Sequence, residues 1–387
     1  MARDFIYLDF AASTPVDPRV SERIVECQQA GFANPSSNHV AGRRSRAAID
    51  HAAEQLASLL HVEPKTLIWT SGATESDNLA IAGGARFRAN RGRHLVTMVT
   101  EHKAVTDVFR RLQSEGFDVT WLTPDKKGRL DPATFMAALR DDTQLASIMF
   151  VNNETGVVQD IDAIGSICRE RDVLFHVDAA QAVGKLPIDL SRLPVDLLSL
   201  TGHKFYGPKG IGALYVADRS GCHVEPLFFG GGQQRQIRPG TLPSDLIAGL
   251  GLAAEIAESS MASDLRHLGT LRHILWTGIA DVEGVLVNGD LETGFPGILN
   301  VSVDNVEGES LMLELEPLCV ATGSACNSTS QDASPVLRAL GRSDLLAQSA
   351  IRFSLGRQTR QEDVEFAARR YTKAVARLRA MAPGAAA

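Results

Sequence analysis

Short β-rich runs alternate with helical patterns from about residue 66 onward, and this alternation limits the possible folds more than any other feature of the chain. Residues 66–71 (TLIWTS) and 94–100 (HLVTMVT) have the composition of strands, and each is followed by a helical pattern. The rhythm continues through β-rich runs at 145–153, 173–181, 195–204 and 210–218. Because strands that alternate with helices build parallel sheets covered on both faces, the sequence predicts an α/β fold with a mostly parallel sheet. Ligands are expected at the carboxyl ends of its strands.

The rhythm changes after about residue 255. A charged helical stretch comes first, near 262–280. It is followed by strand patterns at 284–290, 297–303 and 350–356. We therefore predict two domains. The large domain covers residues 16–255, and a smaller α+β domain combines residues 1–15 with residues 256–387.

Charge and composition exclude several classes of function. The chain has 387 residues, 44% of them hydrophobic, and a net charge of −7 without a block of Lys or Arg, which argues against a nucleic-acid or anionic-membrane surface. Asp4 and Asp9 lie where a secretory signal would need an apolar stretch, and no run approaches the roughly 18 apolar residues of a membrane span. A cytoplasmic protein without a membrane partner or a direct nucleic-acid partner is expected.

The cysteines fit neither a disulfide framework nor a zinc signature. They are odd in number and widely spaced: Cys27, Cys168, Cys222, Cys319 and Cys326. Reduced thiols and no metal site are therefore expected. Cys326 is unusual because it lies in ATGSACNSTS (321–330), among small polar residues, whereas an unpaired cysteine is normally buried. Cys319 lies in an apolar run typical of a strand, and a joint metal site with Cys326 is the minor alternative.

An amine and a carboxylate follow two neighbouring strands of the predicted sheet. Lys204 lies after a strand pattern in LTGHKFYGPKGIG (200–212), and Asp178 and Gln181 follow another in FHVDAAQAVGK. Taken alone, a lysine at a strand end is more often a solvated surface residue. Because both strand ends belong to one sheet, they offer an amine and a carboxylate to the same crevice.

A phosphate cradle completes this set. TSGATESDN (70–78) runs from strand to loop to helix, so backbone amides and the Thr74 hydroxyl can meet a phosphate at a helix N-terminus, although small polar residues also form ordinary helix caps. An amine, a carboxylate and a phosphate site are the parts that hold pyridoxal phosphate. His102, in TEHKAV, is either a capping or surface histidine or an imidazole that stacks on the cofactor ring and moves protons. Without a second ligand at helical spacing, a metal role for it is disfavoured.

Ten motifs in order resemble the cysteine desulfurases of the NifS/IscS type, in the class V aminotransferase family. They cover nearly the whole chain: YLDFAASTP, TSGATESDNLA, TEHKAV, VNNETGVVQDI, HVDAAQAVGKLPIDL, TGHKFYGPKGIGALYV, RPGTLP, VEGESL, GSAC and IRFSLGR. The resemblance implies a homodimeric enzyme of pyridoxal-phosphate fold type I, with a large domain built on a seven-stranded-type sheet and a smaller α+β domain.

The resemblance also implies roles for individual residues. Lys204 would form the Schiff base with pyridoxal 5′-phosphate, Asp178 would pair with the pyridine nitrogen, and Gln181 would bind the ring hydroxyl. Asn153 would face the cofactor and the substrate, and His102 would lie over the ring. The phosphate contacts would come from Ala73, Thr74, Thr201 and His203, and from Thr241 of the partner subunit.

The remaining implied roles concern the substrate. Arg352 would hold the substrate carboxylate in a forked contact, and Cys326, on a loop at about 321–334, would accept the sulfur. L-cysteine would be converted to L-alanine and a persulfide on Cys326. Sulfur would then pass to acceptor proteins for iron–sulfur cluster assembly or for the thiolation of tRNA and cofactors.

Three departures and three alternatives accompany this resemblance. Thr201 replaces the Ser of many relatives and keeps the hydroxyl, while Pro239 stands where Ser or Ala is expected. Housekeeping relatives extend into a C-terminal tail implicated in docking the iron–sulfur scaffold, whereas this sequence ends in GAAA, so the acceptor stays open. A selenocysteine lyase or another class V enzyme such as an aminotransferase is the alternative, although GSAC disfavours transamination. A noncatalytic cluster scaffold would need several clustered thiols.

Overall fold

The computed structural model describes residues 5–322 and 333–381. The strands in these ranges are β1 (Ile6–Tyr7), β2 (Leu67–Thr70), β3 (His94–Met98), β4 (Asp118–Leu122), β5 (Thr143–Ser147), β6 (Leu174–Asp178), β7 (Leu197–Thr201), β8 (Gly212–Val216), β9 (Val285–Val287), β10 (Ile298–Val303), β11 (Leu318–Cys319), β12 (Ala321–Thr322) and β13 (Ile351–Ser354). The α-helices are α1 (Pro18–Ala30), α2 (Val40–Leu60), α3 (Ala73–Asn78), α4 (Gly84–Phe87), α5 (Lys103–Ser114), α6 (Pro132–Ala138), α7 (Ile161–Glu170), α8 (Ser244–Ile279), α9 (Gly308–Glu314), α10 (Pro335–Ala339), α11 (Asp344–Gln348) and α12 (Gln361–Met381).

The largest sheet of the described chain has seven strands in the order β2-β8-β7-β6-β5-β3-β4. Neighbouring strands from β4 to β7 pair in parallel, and β8 runs antiparallel to both β2 and β7. The prediction of a mostly parallel sheet in an α/β fold is therefore confirmed. Strand β4 was not part of the sequence-based prediction, because its outer residues are partly exposed and Asp118 begins it.

Both faces of this sheet are buried, and six of its seven strands are buried along their whole length. Within β3, Leu95 packs into a cluster with Phe109 of α5, whereas the next residue, Val96, packs into a second cluster with Leu56 of α2 and Leu250 of α8. Successive side chains of a strand point to opposite faces, so helices must cover the sheet on both sides.

The helices that flank the sheet begin at sequence signals for a helix start. The carboxylates of Asp17, Asp131 and Asp160 accept backbone N–H groups in the first turns of α1, α6 and α7. Pro18 and Pro132 follow the first two caps, where a missing N–H costs nothing. The caps of α6 and α7 fix where the chain enters the helices that connect β4 to β5 and β5 to β6.

A second, antiparallel sheet has the order β12-β13-β10-β9, and β1 pairs in parallel with β11. The charged helix expected near 262–280 is the second half of α8, a continuous helix of 36 residues that packs against α1, α2 and α12. The domain division at 255 stays a prediction, and α8 crosses it. Among the described residues, no helix is both long enough and apolar enough to span a membrane.

Candidate active site

A cavity of about 550 Å³ opens at the carboxyl edge of the large sheet, where the segments after β2, β3, β5, β6 and β7 meet. Parallel strands bring their carboxyl ends to one edge, so residues distant in the sequence converge there. Ten of the residues singled out from the sequence line it: Ala73, Thr74, His102, Asn153, Asp178, Gln181, Thr201, His203, Lys204 and Arg352.

Lys204 ends a short 3₁₀ turn, Gly202–Lys204, that follows β7 directly. Its side chain is half-buried and lines the cavity. The Nζ atom donates hydrogen bonds to the carbonyl oxygens of Ala11 and Ala12, at 2.7 and 2.8 Å. The amino-terminal segment therefore fixes the amine at the cavity, where an electrophilic carbonyl carbon can reach it.

Three buried carboxyl groups lie beside the cavity, and sequence analysis identified only Asp178. Its Oδ1 accepts the Ala180 N–H at 2.9 Å; burial raises its pKa, and this hydrogen bond, His102 and Lys204 oppose the rise. Burial also raises the pKa of Asp77 and of Glu101 well above their ordinary values.

The buried Asp77 carboxyl group has no positive charge close enough to stabilise its ionised form among the described residues. Neither of its carboxyl oxygens has a hydrogen-bond partner among the described residues, and His176 Nε2 lies 3.6 Å from Oδ1. Burial lowers the pKa of His176 to about 3, so this imidazole is neutral and does not compensate the carboxyls. A protonated ring nitrogen facing Asp178 would supply the missing charge. The signal for Asp77 was its place in TSGATESDN.

Gln181 is held in one orientation by two hydrogen bonds. Its Nε2 donates to the Ala11 carbonyl at 2.8 Å, and its Oε1 accepts from Lys185 Nζ at 2.6 Å. Burial lowers the pKa of Lys185 well below its ordinary value, and the nearby charges of Lys204 and Arg352 lower it further. Sequence analysis missed Lys185, whose only signal was its place four residues after Gln181.

The anion cradle begins at Gly72, which has φ of +151° and provides no side-chain cap for α3. Helix α3, a π-helical turn at Leu79–Gly83 and α4 run on continuously, so the first amides of a 15-residue helical segment face the strand edge uncapped. A Cβ at Gly72 would lie 3.4 Å from Thr201 Oγ1, and one at Gly212 would lie 2.7 Å from the Gly72 Cα. The backbone at Gly72 is thus tightly packed against Gly212, and the Thr201 hydroxyl lies beside it. This arrangement fits a phosphate.

The two histidines of the site have different environments. His102 caps α5, since its Nδ1 accepts the Ala104 N–H at 3.1 Å, and it also lines the cavity, so the capping interpretation and the cofactor interpretation are compatible. His203 Nδ1 lies 3.2 Å from Ser13 Oγ. Burial and the neighbouring lysines lower the pKa of His203 to about 4, so it is neutral near pH 7 and suited to hydrogen bonding rather than to charge pairing.

Arg352, on β13 and only 4% exposed, brings the second sheet to the same cavity. One terminal nitrogen donates to the Asn153 carbonyl and the other to Asp9 Oδ1, each at 2.8 Å. Its Nε is buried without a hydrogen-bond partner among the described residues. A guanidinium with an unsatisfied donor suits a carboxylate ligand. Sequence analysis missed Asp9, which lies in the motif YLDFAASTP.

The remaining predicted residues are Thr241 and the cysteines. Thr241 is exposed, shortly before α8, and Cys326 lies outside the described residues. Among the other cysteines, Cys27 and Cys168 are buried within α1 and α7, and Cys319 belongs to β11. Within 5–322 and 333–381, no group of three or more His, Cys, Asp or Glu side chains is arranged to hold a metal ion.

Comparisons with known proteins agree with this geometry. Residues 6–366 match the family described as Aminotransferase class-V. The chain is 53% identical to the cysteine desulfurase IscS of Enterobacter sp. (strain 638) over 381 residues, which cover 98% of this chain and 94% of that protein. The chain belongs to the class-V aminotransferase family. The resemblance found in the sequence is confirmed.

Solved structures of similar proteins have the same fold. A NifS-like protein superposes with a TM-score of 0.90 at 33% identity, covering 97% of this chain and 100% of that one. SspA, solved in complex with cysteine, superposes with a TM-score of 0.81 at 39% identity, covering 90% and 98%. This class-V protein is an enzyme, and its cofactor is pyridoxal 5′-phosphate. The amine, the carboxylates and the uncapped helix start described above fit that group.

Proposed function

We propose that the protein is a cysteine desulfurase that converts L-cysteine to L-alanine and leaves the sulfur as a persulfide on Cys326. The observation that carries this proposal is the convergence of Lys204, Asp178 and Arg352 on one cavity, in a chain 53% identical to an IscS cysteine desulfurase. Those three side chains offer a cofactor amine, a ring-nitrogen partner and a carboxylate site.

Each side chain then has a defined task. Lys204 would hold the cofactor, Asp178 would stabilise the protonated ring nitrogen, and Gln181 would bind the ring hydroxyl. The phosphate would be bound by the anion cradle, in which Ala73 and Thr74 at the start of α3 lie beside Thr201 and His203. Bound pyridoxal phosphate supplies an electron sink that weakens bonds at the α-carbon of an amino acid.

Substrate chemistry follows from the remaining groups. Arg352 would bind the cysteine carboxylate beside Asn153, and Lys204 Nζ, released when the substrate amine takes its place, would move the proton at the α-carbon. The Cys326 thiolate would attack the substrate sulfur. The Cβ–S bond would break as an S–S bond forms. The electron pair of the broken bond would remain on Cβ and take up one proton, equal to the one that the Cys326 thiol lost on becoming a thiolate, so no external oxidant or reductant is needed.

Incubation of the purified yellow protein with L-cysteine tests this proposal. We expect alanine and protein-bound sulfane sulfur to form in a one-to-one ratio in the first turnover, because one sulfur leaves each cysteine. Amino-acid analysis and mass spectrometry of alkylated peptides measure the two products. Production of pyruvate or of a transaminated keto acid in place of alanine would contradict the proposal, and a colourless protein without cofactor would do so as well.

The destination of the sulfur is part of the proposal. The IscS name of the relatives supports acceptor proteins that assemble iron–sulfur clusters or relay sulfur for thiolation, in the cytoplasm. A persulfide is suited to this, because a second thiol can take its outer sulfur by attack at that atom. Direct binding of nucleic acid is not part of the scheme, in line with the net charge of −7.

We also propose a homodimer in which Thr241 of the partner subunit completes the phosphate site. Thr241 is exposed and lies outside the cavity of its own chain. Its segment nevertheless starts beside the cradle, since Arg238 forms a salt bridge of 2.7 Å with Glu75, which lines the cavity. The exposed Phe228 and Phe229, 56% and 88% accessible, lie in the segment before it and favour a covering partner.

A mixed dimer tests whether Thr241 acts across the interface. Thr241→Val alone should weaken cofactor binding about tenfold, because a charge-assisted hydrogen bond is lost, while Thr270→Val on the exposed surface of α8 should not. Co-expression with Lys204→Ala gives mixed dimers in which one site carries both changes and the other carries neither. We expect their covalently bound cofactor to dissociate as slowly as in the wild type. Dissociation as fast as in Thr241→Val, or a fully active monomer in sedimentation, would refute the shared site.

A further inference from the structure

Glu154 forms a buried contact that the proposed mechanism does not use. It follows Asn153 in the segment between β5 and α7 and does not line the cavity. Its Oε2 accepts the hydroxyl of Ser334 at 2.6 Å, and its backbone carbonyl accepts Asn300 Nδ2 of β10 at 3.0 Å. Ser334 is fully buried and caps α10 through the Leu337 N–H at 3.2 Å. The segment after β5 is thus bound to the second sheet and to the start of α10.

The same segment also holds the substrate arginine. The carbonyl oxygen of Asn153, one residue before Glu154, accepts Arg352 at 2.8 Å. Arg352 is paired in register with Ala321 of β12. Residues 323–332, which include Cys326, therefore follow a strand paired with Arg352 and precede a serine bound by Glu154. The strand before residues 323–332 is thus connected through Arg352 to Asn153, and the serine after them is bound by Glu154.

We infer that Glu154 is a positioning residue that fixes the chain on the C-terminal side of Cys326 relative to the arginine that binds the substrate carboxylate. The inference rests on the proposed function. Substrate and thiol must meet within about 3.5 Å for sulfur transfer, and a misplacement of 1 Å can cost about a hundredfold in rate. The hydrogen bond between Glu154 and Ser334 joins the segment that holds Arg352 to the chain that follows Cys326. It therefore affects the rate of sulfur transfer.

The electrostatic surroundings of Glu154 make this contact sensitive to pH. Burial raises the pKa of Glu154 to about 7, while the Ser334 hydroxyl and the charges of Arg352 on β13 and His102 at the start of α5 oppose the rise. A carboxylate accepts a hydroxyl more strongly than a protonated carboxyl group does. The contact is therefore strongest above pH 7 and weakens as the pH falls through that value.

Steady-state kinetics of the holoenzyme with L-cysteine and dithiothreitol test the inference. We expect Glu154→Ala and Ser334→Ala each to lower kcat for alanine formation about tenfold, with KM changed less than twofold, because the lost contact acts on positioning and not on substrate binding. The double variant should be no slower than the slower single variant, since both changes break one hydrogen bond. The visible spectrum and the borohydride-trapped cofactor should match the wild type.

Two further variants separate positioning from folding. Ser343→Ala removes the matched cap of α11, the hydroxyl that accepts the Leu346 N–H at 3.3 Å, and should leave kcat unchanged. Glu154→Gln keeps an acceptor for Ser334 and should retain most of kcat, but the ratio of wild-type to Glu154→Gln activity should rise between pH 6 and 8.

The outcomes distinguish this inference from the proposed function. If the wild type makes no alanine from cysteine, both are wrong. If the wild type is active and Glu154→Ala has the same kcat, only the role of Glu154 is overturned. Additive losses in the double variant, a change confined to KM, or a flat activity ratio between pH 6 and 8 would also overturn it.

Discussion

Lys204→Ala loses the covalent link to pyridoxal phosphate and nearly all alanine formation, with an expected fall in kcat of at least about a thousandfold. In the proposed mechanism Lys204 has two tasks: it anchors the cofactor and it transfers a proton. Two backbone carbonyls, of Ala11 and Ala12, hold its Nζ at 2.7 and 2.8 Å, so the amine is already oriented before the cofactor binds. Loss of a positioned proton-transfer group typically costs 10²–10⁴ in rate, and here the anchoring of the cofactor is lost as well.

Borohydride reduction followed by peptide mass spectrometry measures the link, and amino-acid analysis measures alanine. In the wild type the cofactor mass should appear on the peptide that contains Lys204. Lys65→Ala is a suitable control, because Lys65 is exposed and forms a surface salt bridge with Asp218. Normal alanine production by Lys204→Ala would show that the cofactor amine has been misassigned.

Cys326→Ser should stay yellow and bind cysteine, yet form no persulfide. The described residues that we propose bind the cofactor, Lys204 and Asp178 among them, lie outside residues 321–330, so removal of one sulfur there should leave the spectrum intact. A serine hydroxyl is a far poorer nucleophile toward sulfur than a thiolate. We expect the multiple-turnover rate of alanine formation to fall at least about a hundredfold, as for the loss of other nucleophilic groups.

Cys319→Ser is the matched control and should keep most of the activity. Burial and the nearby Asp9 carboxylate raise the pKa of the Cys319 thiol, so it stays protonated and unreactive near neutral pH. The two variants are compared by mass spectrometry of alkylated peptides after incubation with cysteine. Detection of the persulfide on Cys319 in an active Cys326→Ser enzyme would show that the wrong cysteine was chosen.

Local patterns were sufficient to predict the cavity. The strands β6, which ends at Asp178, and β7, which precedes Lys204, are buried along their whole length, and the carboxyl ends of parallel strands must share an edge, so the meeting of these two residues follows from topology. The amine, the carboxylate and the cradle each followed a strand directly, so small errors in strand boundaries did not move them to another face.

Contacts between distant segments could not be predicted in the same way. Asp9 contacts Arg352 across 343 positions, and Ser334 reaches Glu154 across 180. The sequence around Asp9 or around Glu154 does not indicate which distant residue each one contacts, because each contact depends on how the second sheet packs on the first. The continuity of α8 was missed for a related reason: its exposed polar middle resembles a break, whereas packing against other helices at both ends keeps it helical.

The pairing of β1 with β11, and of Asp9 with Arg352, has a consequence for how the chain is made. The ribosome synthesises β1 and Asp9 first. Strand β11, the partner of β1, comes much later, and Arg352, the partner of Asp9, follows Asp9 by 343 residues. At 5–20 residues per second, that strand waits roughly 20 to 70 s for them. During this interval the nascent chain already contains the segments of the anion cradle and Lys204, but it still lacks Arg352, the residue that we propose binds the substrate carboxylate. The order of synthesis thus delays catalysis until translation is nearly complete.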